Sequence, residues 1–179
     1  MHNSFSIDSM FHPSKYGISG YCLDQKPRLM NNRVTKCIAR EVMNIEIDWQ
    51  YTGEGEDNID YSRVLYAYLH SRTSEILYIG KAGRCTVRER LLGEHKEAIF
   101  YNMINQLGIS TLHAIVGVLS IPEQRKYSME LLSDVESLLI MKIQPVYNKQ
   151  SRKRRISRPG MQVCCKGAWP HVQGRFKDE

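Results

Sequence analysis

Residues 64–80 restrict what this chain can fold into more than any other stretch. Val64-Leu65-Tyr66-Ala67-Tyr68-Leu69 and Ile76-Leu77-Tyr78-Ile79-Gly80 are apolar, aromatic runs of strand length. The six residues between them, 70–75, are polar and have no apolar face. Two such runs across a short polar segment are most simply satisfied as a β-hairpin. Side chains alternate between the faces of a strand, so Val64, Tyr66 and Tyr68 share one face. The pairing brings Tyr66 close to Tyr78, with Lys81, Arg88 and Arg90 just beyond.

The flanking segments continue the pattern. Gly83 suits a turn, and Thr86 reads as a helix N-cap with Glu89 three residues on, which completes a capping box. The helix is expected to run from Val87 through Arg90, Leu91, Glu94 and Ala98, with Gly93 loosening its middle at a cost of roughly 1 kcal/mol relative to Ala. Residues 99–107 remain helical in character and Gly108 is the stop. Residues 111–121 are β-branched and apolar and end at Pro122, which predicts a buried third strand. Residues 128–143 form a helix whose Leu132, Val135, Leu139 and Ile143 share one stripe, flanked by Glu136 and ended by Pro145.

Upstream, Met43, Ile45, Ile47, Trp49 and Tyr51 alternate with Asn44, Glu46, Asp48 and Gln50, so residues 43–51 form a strand with one wet face. Residues 52–60 are acidic and glycine-containing and read as an exposed loop. Residues 1–40 are weakly patterned, with a short helix expected near 32–40, and the last twenty residues show little pattern. The expected fold class is α+β. A small central antiparallel sheet of three core strands, with one extra N-terminal strand, is flanked by helices. The expected division is an extension over 1–60, a core over 61–150 and a basic tail over 151–179.

Three features in chain order resemble the GIY-YIG nuclease family. Val64-Leu65-Tyr66 is followed after eleven residues by Tyr78-Ile79-Gly80 and then Lys81-Ala82. A helix then presents an arginine in its first turn. Finally Glu136 lies on a helix, with Pro145 and Asn148 after it. Counting from Tyr78 selects Arg88 as the family's essential arginine, whereas counting from the Thr86 cap selects Arg90. Loops change length easily, but a shift of two along a helix turns a side chain by about 200°, so Arg90 is preferred and Arg88 is the alternative. Where the family often carries a histidine one turn later, this chain has Glu94, with His95 one residue late.

The resemblance implies a catalytic set of Tyr66, Tyr78, Lys81, Arg90 (or Arg88) and Glu136, supported by Asn148. The chemistry also follows from the residue types. Phosphodiester hydrolysis needs an attacking water, charge relief at phosphorus and help for the departing oxygen. An arginine fork suits phosphate oxygens. Glu136 is a hard oxygen ligand suited to Mg²⁺, or another divalent cation such as Mn²⁺, which keeps most of its waters. Tyr66 is the expected general base. A free phenol titrates near pH 10, so this role requires positive charge from Lys81, Arg90 or the metal. Tyr78 orients the water or phosphate, and Asn148 holds the helix end and the site architecture.

The charge distribution fits a polyanion partner. The chain carries a net charge of +6 with a pI near 9.1. The excess lies in residues 137–177, which hold ten Lys and Arg and no acidic residue. Within it Lys149, Arg152, Lys153, Arg154, Arg155 and Arg158 are the expected DNA contacts. Five cysteines, an odd number, without a Cys-x-x-Cys pair, point to reduced thiols and a cytoplasmic setting. No membrane span or signal peptide is expected. The compact layout resembles a restriction-type endonuclease acting on double-stranded DNA, for which a palindromic target implies a homodimer. The alternatives are a low-specificity nuclease of toxin, repair or recombination type, and a catalytically idle DNA-binding module.

Overall fold

The alternation over 43–51 becomes β1 (Met43–Tyr51), with Ile45, Ile47 and Trp49 buried and Asn44, Glu46 and Asp48 exposed. The computed structural model describes residues 42–52, 58–150 and 160–178. All of them belong to the compact unit Ala39–Glu179. The helix expected near 32–40, residues 53–57 of the acidic loop, and Arg152, Lys153, Arg154, Arg155 and Arg158 lie outside the described residues.

The hairpin forms as β2 (Val64–His70) and β3 (Ile76–Ala82), antiparallel, with Tyr66 opposite Gly80 and Tyr68 opposite Tyr78. The third strand, β4 (Leu112–Ser120), lies antiparallel between β2 and β1. The fold is therefore α+β, but the sheet is larger than the expected three strands plus one, and it is mixed. The C-terminal segment adds β5 (Met161–Gly167), parallel to β1, and β6 (Arg175–Lys177), giving six strands in the order β3-β2-β4-β1-β5-β6. The physical reason is visible in β5 itself. Met161, Val163 and Cys165 turn inward at alternate positions and extend the core beside Ile45 and Ile47. So short a run pairs only because β1 offers an edge more than a hundred residues away in sequence.

The capping box at Thr86 is present in both halves: the Glu89 N–H donates to Thr86 Oγ1 at 3.1 Å, and the Thr86 N–H donates to Glu89 Oε2 at 2.9 Å. The helix it opens is short, however. α1 (Val87–Leu91) ends before Gly93, which serves as the N-cap of a second helix, α2 (Glu94–Leu107). Gly93 thus divides the expected helix instead of loosening it. Gly108 closes α2 in the left-handed region, φ 61°, where glycine is unstrained. α3 (Met129–Ile143) is capped by Ser128, whose hydroxyl accepts from the Leu131 N–H at 3.1 Å.

The two faces of the sheet carry separate cores. On one, Leu131, Leu132, Val135, Leu138 and Leu139 of α3 pack against Ile45, Ile47, Trp49, Leu65, Ala67 and Ile79. On the other, Val87 of α1 and Met103 of α2 pack against Val64, Tyr66, Tyr68 and Tyr78. Each buried aliphatic side chain contributes roughly 1.5–3 kcal/mol. The arrangement leaves β3 at the sheet edge with helices on both sides of it, so groups from opposite faces can meet around its rim. Among the described residues, no helix is long and apolar enough to cross a membrane.

Candidate active site at the edge hairpin

The register of the hairpin assembles three phenols. The rings of Tyr66, Tyr68 and Tyr78 lie with each pair of centroids 6.1 Å apart. Gly80 makes this possible. A Cβ at that position would stand 2.5 Å from Cζ and 2.6 Å from the hydroxyl of Tyr66, and 2.9 Å from the Tyr78 ring. The glycine that follows Tyr78-Ile79 is therefore the space that the Tyr66 ring occupies. Gly80→Ala is expected to displace that ring and destabilise the fold by about 1–3 kcal/mol, the usual range for overpacking. Urea unfolding measures it, and an unchanged midpoint would refute the steric account.

An edge strand leaves every second backbone N–H and C=O without a ladder partner. At Ile79 these groups go to Asn148, which is 5% exposed. Its Oδ1 accepts from the Ile79 N–H and its Nδ2 donates to the Ile79 carbonyl, both at 2.8 Å. The Tyr147 N–H adds a bond to the Leu77 carbonyl at 3.0 Å. Asn148 thus clamps the peptide between Tyr78 and Gly80 at the sheet edge.

The two candidate arginines diverge. Arg88 is turned outward, donating from Nε and Nη2 to the Asp60 carboxylate at 2.7 and 3.0 Å. That hydrogen bond holds the Asp60 carboxyl below its ordinary value. Arg90, two positions on, acts electrostatically on Tyr66, Tyr78 and Lys96. The helix geometry separates them by more than half a turn.

Glu136 projects from α3 toward the same rim, its side chain 14% exposed, and forms an ion pair through Oε2 with the Lys81 ammonium. Its negative charge reaches Tyr78 and Lys96. Lys149, the one expected DNA contact within the described residues, is exposed beyond Asn148.

One member of the site was not anticipated. Lys96 is 8% exposed, and its ammonium donates a hydrogen bond to the Tyr78 hydroxyl while lying 4.3 Å from that ring's centre. A readable signal existed. Lys96, Ile99, Phe100 and Met103 follow the spacing of one helical stripe, and a lysine on an apolar stripe is a candidate for burial.

The electrostatics bear on the role expected for Tyr66. Burial pushes its phenol far above the ordinary value, the neighbouring Tyr78 and Tyr68 push it further, and Arg90 only partly opposes them. Lys81, expected to help, is engaged with Glu136. Tyr66 therefore rests as a neutral phenol, and its buried hydroxyl has no well-formed hydrogen bond among the described residues. Tyr78 is raised by burial and then by Glu136, with the Tyr66 hydroxyl and Arg90 opposing. Lys96 is lowered to about 8, first by burial and then by Arg90, with Lys81 adding to the effect and Glu136 opposing it.

Of the described residues at the rim, Glu136 is the carboxylate that could hold a divalent cation. Glu136 Oε1 makes no hydrogen bond among the described residues, which bring no three His, Cys, Asp or Glu side chains together. A single carboxylate is sufficient for Mg²⁺, which retains most of its waters. Comparison with protein-family models, with curated proteins and with solved structures finds no match for this chain.

Proposed function

We propose that the chain is a metal-dependent DNA endonuclease of the GIY-YIG type, hydrolysing phosphodiester bonds, with a compact layout suited to a site-specific, restriction-type enzyme. The observation that carries this reading is the convergence of Tyr66 and Tyr78, Arg90 and Glu136 on one rim from the hairpin, α1 and α3. Single tyrosines in strands and glutamates on helices are commonplace. Two phenols, a guanidinium and a carboxylate converging from separate elements, in the order the resemblance implies, are a catalytic arrangement.

Each group then has a part. Arg90 presents paired donors to phosphate oxygens and neutralises charge that grows as the attacking oxygen approaches phosphorus. Tyr66, a neutral phenol, donates a hydrogen bond to the phosphate or to the incoming water. Glu136 would hold the cation, which supplies charge relief at the phosphate and at the departing 3′ oxygen. Lys81 balances the Glu136 carboxylate. The basic segment from Lys149 onward offers nonspecific attraction to the duplex backbone. A homodimer fits a palindromic target.

The test is incubation of plasmid DNA with the purified protein and Mg²⁺. Discrete fragments support a site-specific enzyme, a smear supports a low-specificity nuclease, and intact DNA with a gel shift overturns catalysis in favour of a binding module. Within the same assay, Arg90→Ala is expected to slow cleavage by about 100-fold or more. Arg88→Ala, at a side chain turned outward toward Asp60, is expected to stay within about threefold of the parent. Equal losses would refute the assignment of the two arginines.

A further inference from the structure

The contact between Lys96 and Tyr78 has no counterpart in the roles given above. A lysine is seldom buried, and when it is, it is normally paired with a carboxylate. Lys96 is instead hydrogen-bonded to a phenol, in a site that also contains Arg90 and Lys81. Among the described residues the carboxylate facing it is that of Glu136, which is already paired with Lys81.

We infer that Lys96 and Tyr78 together form the proton acceptor of the cleavage reaction, with the lysine as the terminal base and the phenol as the relay. The inference rests on the nuclease reading and deepens it. Tyr66 is a poor base because burial holds its proton and no ammonium touches its hydroxyl. Tyr78 alone shares that difficulty, but it has a nitrogen partner in direct contact.

The step balances as follows. The neutral Lys96 amine accepts the Tyr78 hydroxyl proton while the phenol oxygen accepts a proton from the attacking water. The water oxygen forms the new bond to phosphorus. The bond from phosphorus to the leaving sugar oxygen breaks, taking its electron pair, and that oxygen is protonated from solvent. Lys96, now an ammonium, returns its proton to solvent before the next turnover. Tyr78 ends as it began, a neutral phenol.

The surroundings favour the neutral amine. Facing Lys96 are Tyr78 and Lys81 from β3, Arg90 from α1 and Glu136 from α3, with Tyr66 and Tyr68 behind Tyr78. Burial and the two cations weaken its hold on a proton, bringing the ammonium to about 8, and Glu136 alone opposes them. Because the neutral amine is the active form, the rate must rise with pH through that value and then level.

The experiment is single-turnover cleavage between pH 6 and 10, with DNA affinity measured separately without metal. The parent rate should climb about tenfold per pH unit below the inflection and flatten above it. Lys96→Arg keeps the cation and its hydrogen bond but cannot deprotonate. It should lose at least about 100-fold in rate and shed the limb near pH 8, with affinity unchanged within about threefold. Tyr78→Phe, which keeps the ring, should lose the same limb. Should Lys96→Arg not fold, Tyr78→Phe alone decides the matter. Parent cleavage with an intact limb in both variants overturns the inference and leaves the nuclease reading standing. No cleavage by the parent protein under any of these conditions overturns both.

Discussion

Glu136→Gln is expected to reduce Mg²⁺-dependent cleavage by on the order of 10³-fold or more, while the protein stays folded and binds DNA. The substitution preserves the shape of the side chain and removes only its charge. In the folded protein that charge is half-paired: Oε2 faces Lys81, and Oε1 has no hydrogen bond among the described residues. Lys81 is 31% exposed, so water can solvate it once the carboxylate is gone, and the stability cost should be below about 1 kcal/mol. A structural salt bridge would show the opposite balance, a large loss of stability with activity retained. Calorimetric titration with Mg²⁺ or Mn²⁺ separates the outcomes further, since the variant should lose the binding heat of the parent. A correctly folded Glu136→Gln protein that cuts at the parental rate would exclude Glu136 from the chemistry.

Asn148→Ala is expected to destabilise the fold by about 2–4 kcal/mol. Two buried hydrogen bonds are lost, and the Ile79 N–H and carbonyl are left without partners at the sheet edge. For a chain of this length that corresponds to a fall in melting temperature of roughly 5–15 °C. Asn148→Asp sharpens the test. A carboxylate can still accept from the Ile79 N–H but meets the Ile79 carbonyl oxygen with like charge, so it should be no better than alanine. Differential scanning calorimetry of the two variants measures both effects. Cleavage should fall by more than the unfolded fraction explains, because Tyr78 and Gly80 flank the clamped peptide. A variant as stable as the parent would mean that Tyr147 or solvent substitutes for the clamp.

The reach of the sequence differs from residue to residue. Tyr66 and Tyr78 were legible because a hairpin of this length can pair in few registers, and Gly80 confirms the register by yielding its space to a ring. The Thr86–Glu89 cap was legible because it is made within four residues. Arg88 and Arg90 could be ranked but not separated, because the choice depended on Asp60, which reaches Arg88 from a 3-10 turn ahead of the hairpin. Lys96 is hard to single out because one lysine at the start of the Ile99, Phe100 and Met103 stripe reads as a solvated helix end, and only the fold brings Tyr78 to it.

What the chain's own order of residues determined is local: the alternation of β1, the hairpin, the caps and the apolar stripe of α3. These follow from periodicity and from hydrogen bonds closed over a few residues. The tertiary structure alone decided the parallel pairing of β5 with β1, the Asn148 clamp on Ile79, and the meeting of Lys96 with Tyr78 and of Glu136 with Lys81. Those contacts join residues that no short-range pattern relates. They form because an edge strand between two helical layers must satisfy its free backbone groups and its buried charges with whatever the rest of the fold brings to it.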